Sequence, residues 1–490
     1  MLAEPTHAEI VAALTARWPE HRVAPSLGRI RALTELLGDP QHAYPVIHVA
    51  GTNGKGSTAA MIESLLRADG LRTGRFTSPH VVGVTERITI DGTPISEERF
   101  DATWREIEPY VALVDDRRID GVELTFFEII TAMAYAAFAD APIDVAVVEV
   151  GLGGTWDATN VADAGVAVIT PIDLDHTHLL GSTVAEIARE KAGIIKPGAH
   201  AILAGQSVEA AQVLLERCAE MGALPQREGI DFGVIDRQLA VGGQVLRLNG
   251  AEGPVDDIFL PLHGAHQAAN AAQALAAVEA FLGLKAVNAD VVREGFAAVQ
   301  FPGRLEVVRR SPTVVLDAAH NPHGASAAAA AVAEAFGFTP LIGVVAVMAD
   351  KDARGLLAVY EEVMNQVVVT QVASTSRGLP APELGELAAQ IFGPERVHVA
   401  PRLDDAIELA IGLAETDGVG APGILVTGSV VAVGEARTLL VTADDPTVRP
   451  ATDDPDDDWD ADYADDGDYA DEADEADDGA DGEPDRERWS

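Results

Sequence analysis

The chain has 490 residues, of which 48% are hydrophobic, 5% aromatic and 23% charged, and its formal net charge is −44 at pH 7. A chain of this length is too long to fold around one ordinary hydrophobic core, so two or three domains are predicted. No stretch approaches the ~20 apolar residues that span a bilayer. The single cysteine, Cys218, excludes an intrachain disulfide and argues against a cysteine-based zinc site. The first residues lack the order of a secretory signal, so we expect a cytoplasmic α/β protein with no membrane partner.

The negative charge is concentrated at the end of the sequence. Residues 451–490 carry 20 acidic and 2 basic side chains and no Val, Leu or Ile. A segment of that composition cannot bury enough apolar surface to fold, so we expect a disordered, solubilising acidic tail over 444–490. The rest of the chain has no basic stripe, and we therefore expect no nucleic-acid partner.

A glycine-rich turn follows the first predicted strand. Residues 45–49 are typical of a short buried strand, and residues 59–66 of a helix. The unpaired N–H groups of a helix N-terminus, together with its dipole, attract phosphate. Lys55 would place a charge near the phosphates and Ser57 a hydroxyl near Mg²⁺. Gly56 separates the two, which departs from the standard spacing. A nucleoside triphosphate site is predicted, with an ordinary glycine turn as the alternative.

The remaining elements predict two successive α/β domains. Apolar runs at 143–150 and 166–171 end in polar residues, as in a doubly wound, mostly parallel sheet. Shorter alternating runs over 225–260 favour antiparallel hairpins, and a helix follows. After a predicted hinge near residue 302, strands are expected at 313–317, 341–347, 366–370 and 423–427. We expect an N-terminal phosphate-loop domain over 1–300 and a smaller, Rossmann-like C-terminal domain over 301–443.

Several polar residues stand at the ends of these apolar strands. Glu149 could hold Mg²⁺, because a buried carboxylate is costly unless it is paired or bound to metal. His176 could complete a mixed site, although a lone histidine is more often a core or surface residue. Lys191 lies in an apolar stretch and is either a partly buried amine or a snorkelling helix lysine. Asp317 could accept from ribose hydroxyls, and His320 could contact a phosphate or a reacting carboxylate.

For two further loops the sequence allows more than one role. Residues 76–80 form a hydroxyl-rich loop that could reach a ligand, or an ordinary Ser-Pro turn. Asp173 and Asp175 could be metal ligands or caps.

Taken together, these motifs resemble the folylpolyglutamate synthase/dihydrofolate synthase family, which is related to the Mur ligases. The resemblance spans about residues 25–440, and its motifs occur in family order at 51–57, 77–80, 86–88, 124–128, 149–154, 157–160, 173–176, 190–194, 301–304, 317–322 and 427–429. Mur ligases usually carry Thr where Gly56 stands, which favours the folate branch. One departure is Thr155-Trp156, which replaces the Arg-Leu common in the family.

The resemblance implies a role for each matching residue. Two Mg²⁺ ions are expected, with Ser57, Ser78, Glu149 and His176 as ligands, and Lys191 is expected to be carbamylated. ATP is expected to contact Gly51, Thr52, Asn53, Gly54, Lys55, Gly56, Ser57, Thr58, Asn270, Arg304 and Asp317. Thr125 and Phe127 are expected beside the pterin, with Leu27, Gly28 and Arg29, and the candidates for the glutamate pocket are Ser374, Ser376 and Arg377.

The implied activity is that of an ATP-dependent amide ligase. A dihydropteroate or folate carboxylate would be activated as an acyl phosphate and attacked by the amine of L-glutamate. Lys55, Lys191 and His320 are the expected catalytic residues, in a monomer that acts on small molecules. One alternative is a Mur-type ligase that joins an amino acid to a UDP-linked cell-wall precursor. Another is a nucleotide-dependent switch without ligase chemistry, which would hydrolyse ATP without glutamate.

Overall fold

The computed structural model describes residues 5–17, 24–416 and 420–441. The predicted acidic tail at 444–490 lies outside these residues. Among the residues described, no helix combines the length and apolar character needed to cross a membrane.

The largest sheet has eight strands in the order β4-β3-β2-β5-β1-β6-β7-β8. Six neighbouring strands run parallel to one another, namely β2, β5, β1, β6, β7 and β8. Strands β3 and β4 form an antiparallel edge beside β2. Its strands are β1 Val46–Ala50, β2 Thr73–Phe76, β3 Ile88–Ile90, β4 Thr93–Pro94, β5 Val145–Glu149, β6 Val166–Ile169, β7 His200–Leu203 and β8 Leu224–Arg227.

Helices cover both faces of this sheet. Val148 of β5 packs into the same core as helices α4 and α5 (residues 97–116 and 126–140), whereas its neighbour Val147 packs with α3 and α9 (residues 55–68 and 265–281). This alternation follows from the period-two geometry of a strand and confirms the doubly wound arrangement. The helices that precede the third sheet in sequence are α1 His7–Thr15, α2 Gly28–Leu36, α3 Lys55–Ala68, α4 Glu97–Asp116, α5 Phe126–Asp140, α6 Thr177–Leu180, α7 Val184–Lys191, α8 Val208–Met221, α9 Ala265–Phe281 and α10 Ala289–Ala297.

An antiparallel meander lies between the two parallel sheets in sequence. It consists of β9 Gly233–Ala240, β10 Gly243–Gly250 and β11 Gly253–Leu260, with β10 at its centre. The predicted hairpins over 225–260 are therefore confirmed. Leu246 and Leu248 of β10 pack with Leu275 of α9, so the meander covers that helix.

The third sheet has the order β12-β13-β17-β14-β15-β16, with only β12 antiparallel. Its strands are β12 Glu306–Arg310, β13 Thr313–Leu316, β14 Leu341–Val345, β15 Gln366–Val369, β16 Val397–Val399 and β17 Gly423–Thr427. Its helices are α11 Pro322–Ala335, α12 Ala353–Glu361, α13 Ala381–Phe392, α14 Leu403–Thr416 and α15 Val430–Leu440. The four strands predicted after the hinge are all present, while the domain boundary at 300/301 stays a prediction.

Candidate active site

The carboxyl ends of both parallel sheets border three adjoining cavities. The large cavity, of about 450 Å³, is lined by helix and loop residues that flank both sheets, among them Phe127, Trp156, Lys351 and Arg377. The loop cavity, of about 150 Å³, is lined by residues 51–57 and the ends of β2 and β5. The third cavity, of about 140 Å³, lies between α9 and the residues that follow β13. Ligands of open α/β sheets bind at this edge, so the position is the expected one.

The glycine-rich turn adopts the predicted strand–turn–helix form. It leaves β1 at Gly51 and enters α3 at Lys55, whose Nζ donates to the Thr52 carbonyl at 3.1 Å. Gly54 has φ +87° and lies so close to Asn270 that a β-carbon would be 2.7 Å from its Oδ1. Only glycine fits this position without strain. Burial lowers the pKa of Lys55, and the Glu149 carboxylate opposes that shift.

The structure brings all four predicted metal ligands to the loop cavity. Ser57, Ser78, Glu149 and His176 line its wall together. Glu149 is buried and accepts the Ser78 N–H at 3.2 Å, and burial raises the pKa of Glu149 against the opposing charge of Lys55. In the part of the chain that is described, no three His, Cys, Asp or Glu side chains form a ready metal cluster. The donors here instead combine one carboxylate and two hydroxyls with an imidazole, and hard oxygen ligands of this kind suit Mg²⁺.

Lys191 is buried rather than snorkelling. Only 5% of its surface is exposed, and its Nζ donates to the Gly51 carbonyl at 2.8 Å. Burial lowers the pKa of Lys191 to about 7, and the nearby Lys55 charge adds to the shift. A large fraction of the amine is therefore uncharged near neutral pH.

The loop that follows β13 faces the phosphate loop across the cleft. Asp317 accepts from the Leu305 and Ala319 N–H groups at 3.2 and 2.9 Å, and burial raises its pKa while Arg304 opposes the shift. His320 Nδ1 lies 3.1 Å from the Ala318 carbonyl, and burial lowers its pKa to about 4, with the Lys351 charge contributing. His320 is therefore a neutral imidazole at physiological pH.

The predicted nucleotide contacts line two cavities, which share Arg304 and part of the turn. Asn270, Arg304 and Asp317 line the third cavity, and the turn residues 51–57 line the loop cavity. Thr58 lines neither cavity, because its side chain is fully buried behind the turn. Its contact with ATP therefore stays a prediction.

The predicted acceptor and glutamate residues are only partly assembled at the large cavity. Arg29, Thr125, Phe127 and Arg377 line it, whereas Leu27, Gly28, Ser374 and Ser376 do not. Leu27 packs against the hydrophobic core instead, and the Ser374 N–H donates to the Glu435 carboxylate. The contacts expected of these four residues stay predictions.

One residue of the site, Lys351, is absent from the predicted set, and Asp175 was left open there as a metal ligand or a cap. Lys351, which follows β14, places its Nζ 2.7 Å from Asp175 Oδ1 and 3.2 Å from His176 Nε2. Burial of Asp175 raises its pKa, but the Lys351, His176 and His320 charges outweigh that effect, so the pKa is lower than usual. Burial lowers the pKa of His176 to about 4, and Lys351 adds to the shift. The run Asp350-Lys351-Asp352 after an apolar strand was the available sequence signal.

Comparisons with known proteins agree with this geometry. Residues 49–278 match the Mur ligase middle domain, and residues 303–430 match the Mur ligase glutamate ligase domain. The dihydrofolate synthase/folylpolyglutamate synthase of Mycobacterium tuberculosis is 52% identical over 450 residues, which cover 87% of this chain and 92% of that protein. The folylpolyglutamate synthase of Lacticaseibacillus casei is 34% identical over 84% of this chain and 94% of its own.

Solved structures show the same similarity. The Mycobacterium tuberculosis folylpolyglutamate synthase complexed with ADP has a TM-score of 0.85 at 52% identity, covering 89% of this chain and 98% of that chain. A folylpolyglutamate synthase complex with AMPPCP and folate has a TM-score of 0.78 at 31% identity, covering 89% of this chain and all of that chain.

Proposed function

Because the chain belongs to the folylpolyglutamate synthase/dihydrofolate synthase family of the Mur ligases, we propose that it ligates L-glutamate to dihydropteroate, to folates or to both at the expense of ATP. The observation that carries this proposal is the meeting of the phosphate loop, Glu149 and the Asp317–His320 loop around adjoining cavities. The apolar, aromatic wall of the large cavity beside them suits a pterin.

The proposed reaction has two chemical steps. A carboxylate oxygen of the acceptor attacks the γ-phosphorus of ATP, and ADP leaves while an acyl phosphate forms. The amine nitrogen of glutamate then attacks the acyl carbon, inorganic phosphate leaves, and the amine loses one proton. The protein positions the reactants and neutralises developing charge, which is the dominant contribution in phosphoryl transfer.

The nucleotide would lie along the phosphate loop. Lys55 and the N–H groups at the start of α3 would hold its phosphates, and Asn270, Arg304 and Asp317 would hold the nucleoside in the third cavity. His320 borders all three cavities and is neutral, so it can donate a hydrogen bond to a phosphate without a proton transfer.

The residues at the loop cavity fit divalent metal. We propose that Ser57, Ser78, Glu149 and His176 hold Mg²⁺, with two ions expected. When bound, Mg²⁺ would neutralise phosphate charge and favour the in-line displacement.

Lys191 is the proposed site of carbamylation. A large fraction of its buried amine is uncharged near neutral pH and can react with carbon dioxide. The carbamate is an anion, and its formation would remove the protonated fraction of the amine, which is an unfavourable like charge beside Lys55 and the phosphate loop. The single cysteine supports the proposal that the protein works in a reducing cytoplasm, and we propose that it acts as a monomer.

A product assay tests the proposed reaction. The protein is incubated with ATP, L-glutamate and one acceptor, namely dihydropteroate, tetrahydrofolate or a UDP-linked cell-wall acid, and products are identified by mass. We expect a glutamylated pterin product with one ADP released per bond. Product from the UDP-linked acid alone would instead indicate a Mur-type ligase, and ADP release without glutamate a nucleotide switch.

Variants of two lysines complete the assay. Lys55→Ala should reduce product formation about a hundredfold or more, as when one preorganised charge-stabilising group is lost. The matched control is Lys285→Ala, an exposed lysine in the segment that links α9 to α10. Unchanged activity of Lys55→Ala would contradict the assignment of the phosphate loop.

A further inference from the structure

Lys351 joins loops that belong to different sheets. It follows β14 of the third sheet, and its two partners, Asp175 and His176, follow β6 of the first sheet. The side chains of Lys351 and Asp175 are each only 11% exposed, so the pair is well shielded from solvent. The three donors of an ammonium can satisfy both partners at once.

The contact with His176 has a chemical consequence. A neutral imidazole carries one lone pair, and here Nε2 uses it to accept the Lys351 ammonium at 3.2 Å. Nδ1 then carries the proton and cannot bind a metal. His176 therefore cannot hold the ammonium and a metal ion at the same time, whichever nitrogen the metal would use.

We propose that Lys351 is a positioning residue that occupies the metal-binding side of Asp175 and His176, and that entry of a divalent cation at His176 displaces its ammonium into the large cavity. This inference rests on the metal site of the proposed function. Asp175 would keep a partner after the displacement, because its Oδ2 accepts from Asn321 Nδ2 at 3.1 Å.

The displaced ammonium has a use in the reaction. Lys351 already lines the large cavity, where the anionic acceptor and glutamate would bind. Metal binding on the first sheet would thereby release a cation of the third sheet for the incoming anions. Metal binding and anion binding would thus be coupled. Coupling between two sites typically changes the affinity for a ligand by about 5- to 150-fold.

Direct metal binding provides the first test. Mn²⁺ is titrated into the nucleotide-free protein, and bound ion is measured by electron paramagnetic resonance without any assay of activity. Because its competitor is removed, Lys351→Met should bind Mn²⁺ about fivefold more tightly or better. Lys351→Arg, which retains a cation, should bind like the native chain, and thermal unfolding checks that each variant is folded.

Two control variants distinguish direct competition between Lys351 and the metal ion from a long-range effect of positive charge on metal affinity. Arg377→Met removes a cation from the same cavity that pairs with Asp350, at 3.0 Å, rather than with Asp175 or His176. Arg354→Met removes an exposed cation of α12 that donates to Gln390. Both should change Mn²⁺ affinity less than about twofold, as expected for screened charges. An equal gain in Arg377→Met and Lys351→Met would overturn the proposal.

Lysine resonances provide the second test. The chain has five lysines, so selective labelling of the lysine ε-carbon gives few signals, and Lys351→Arg identifies the one from Lys351. Addition of Mg²⁺ should move the Lys351 signal and leave that of Lys285 in place. A stationary Lys351 signal at saturating metal would overturn the inference and leave the proposed function intact. If His176→Ala leaves Mn²⁺ binding unchanged, the proposed metal site itself fails, and the inference with it.

Discussion

Gly56 and the ring of Phe301 are in such close contact that a β-carbon at position 56 would lie 2.6 Å from Phe301 Cζ. The guanidinium of Arg304 lies over the same ring, 5.4 Å from its centroid. Phe301 comes just before the third sheet and Gly56 lies in the first turn of α3, so this contact joins the phosphate loop to the start of the C-terminal part. Gly56 departs from the standard phosphate-loop spacing, and the contact with Phe301 gives a steric reason for the missing side chain.

We predict that Gly56→Ser displaces Phe301 and weakens nucleotide binding. Overpacking of this kind costs about 1–3 kcal/mol, and the strain falls where the loop holds phosphate. Titration calorimetry with ADP should show the loss, and Phe301→Leu added to Gly56→Ser should restore part of it. Gly165→Ser, where nothing lies within 4 Å of an added β-carbon, serves as the control. Native ADP affinity in Gly56→Ser would contradict the prediction.

Lys191 should form a carbamate whose amount rises with pH. Its pKa of about 7 means that the reactive, uncharged amine increases between pH 6 and pH 8, whereas an ordinary lysine with a pKa of about 10.4 stays protonated there. With ¹³C-bicarbonate, a carbamate resonance should grow over this range and be absent from Lys191→Arg. A resonance that persists in Lys191→Arg would place the carbamate on another amine.

Trp156 should contribute to acceptor binding. It stands where the family commonly has Leu, and it lines the large cavity with Phe127. Stacking of an aromatic side chain on a heteroaromatic base contributes about 1–3 kcal/mol. Trp156→Leu should therefore raise the KM for the pterin acceptor about tenfold while the KM for ATP changes little. Trp156→Phe should retain most of the affinity, and an unchanged acceptor KM in Trp156→Leu would rule out this role.

The buried pair of Arg29 and Glu128 should matter strongly for stability. Arg29 is 2% exposed, and its Nε donates to Glu128 Oε1 at 3.0 Å. Arg29→Met leaves a buried carboxylate unpaired, so we expect a loss of about 3–5 kcal/mol in the free energy of unfolding, measured by urea denaturation. The double variant Arg29→Met/Glu128→Met should regain most of that loss. If the double variant is no more stable than Arg29→Met, an unpaired Glu128 carboxylate is not the cause of the lost stability.

The sequence by itself determined the local elements and their order. The apolar runs at β1, β5, β6 and β13 identify buried parallel strands, because strands covered on both faces need continuous apolar residues. The polar residues at or just after the C-terminal ends of these strands, such as Glu149 and Asp317, therefore lie at the carboxyl edges of the sheets. The phosphate loop could be located in the same way, since it depends on neighbouring residues only.

The tertiary structure alone decided which distant side chains meet. Lys351 pairs with Asp175 across 176 positions, and Phe301 fills the space beside Gly56. Such partners depend on the angle and distance at which two sheets pack, which no local pattern of hydrophobicity encodes. For the same reason the sequence could name Lys191 but not its burial, and burial is what lowers its pKa.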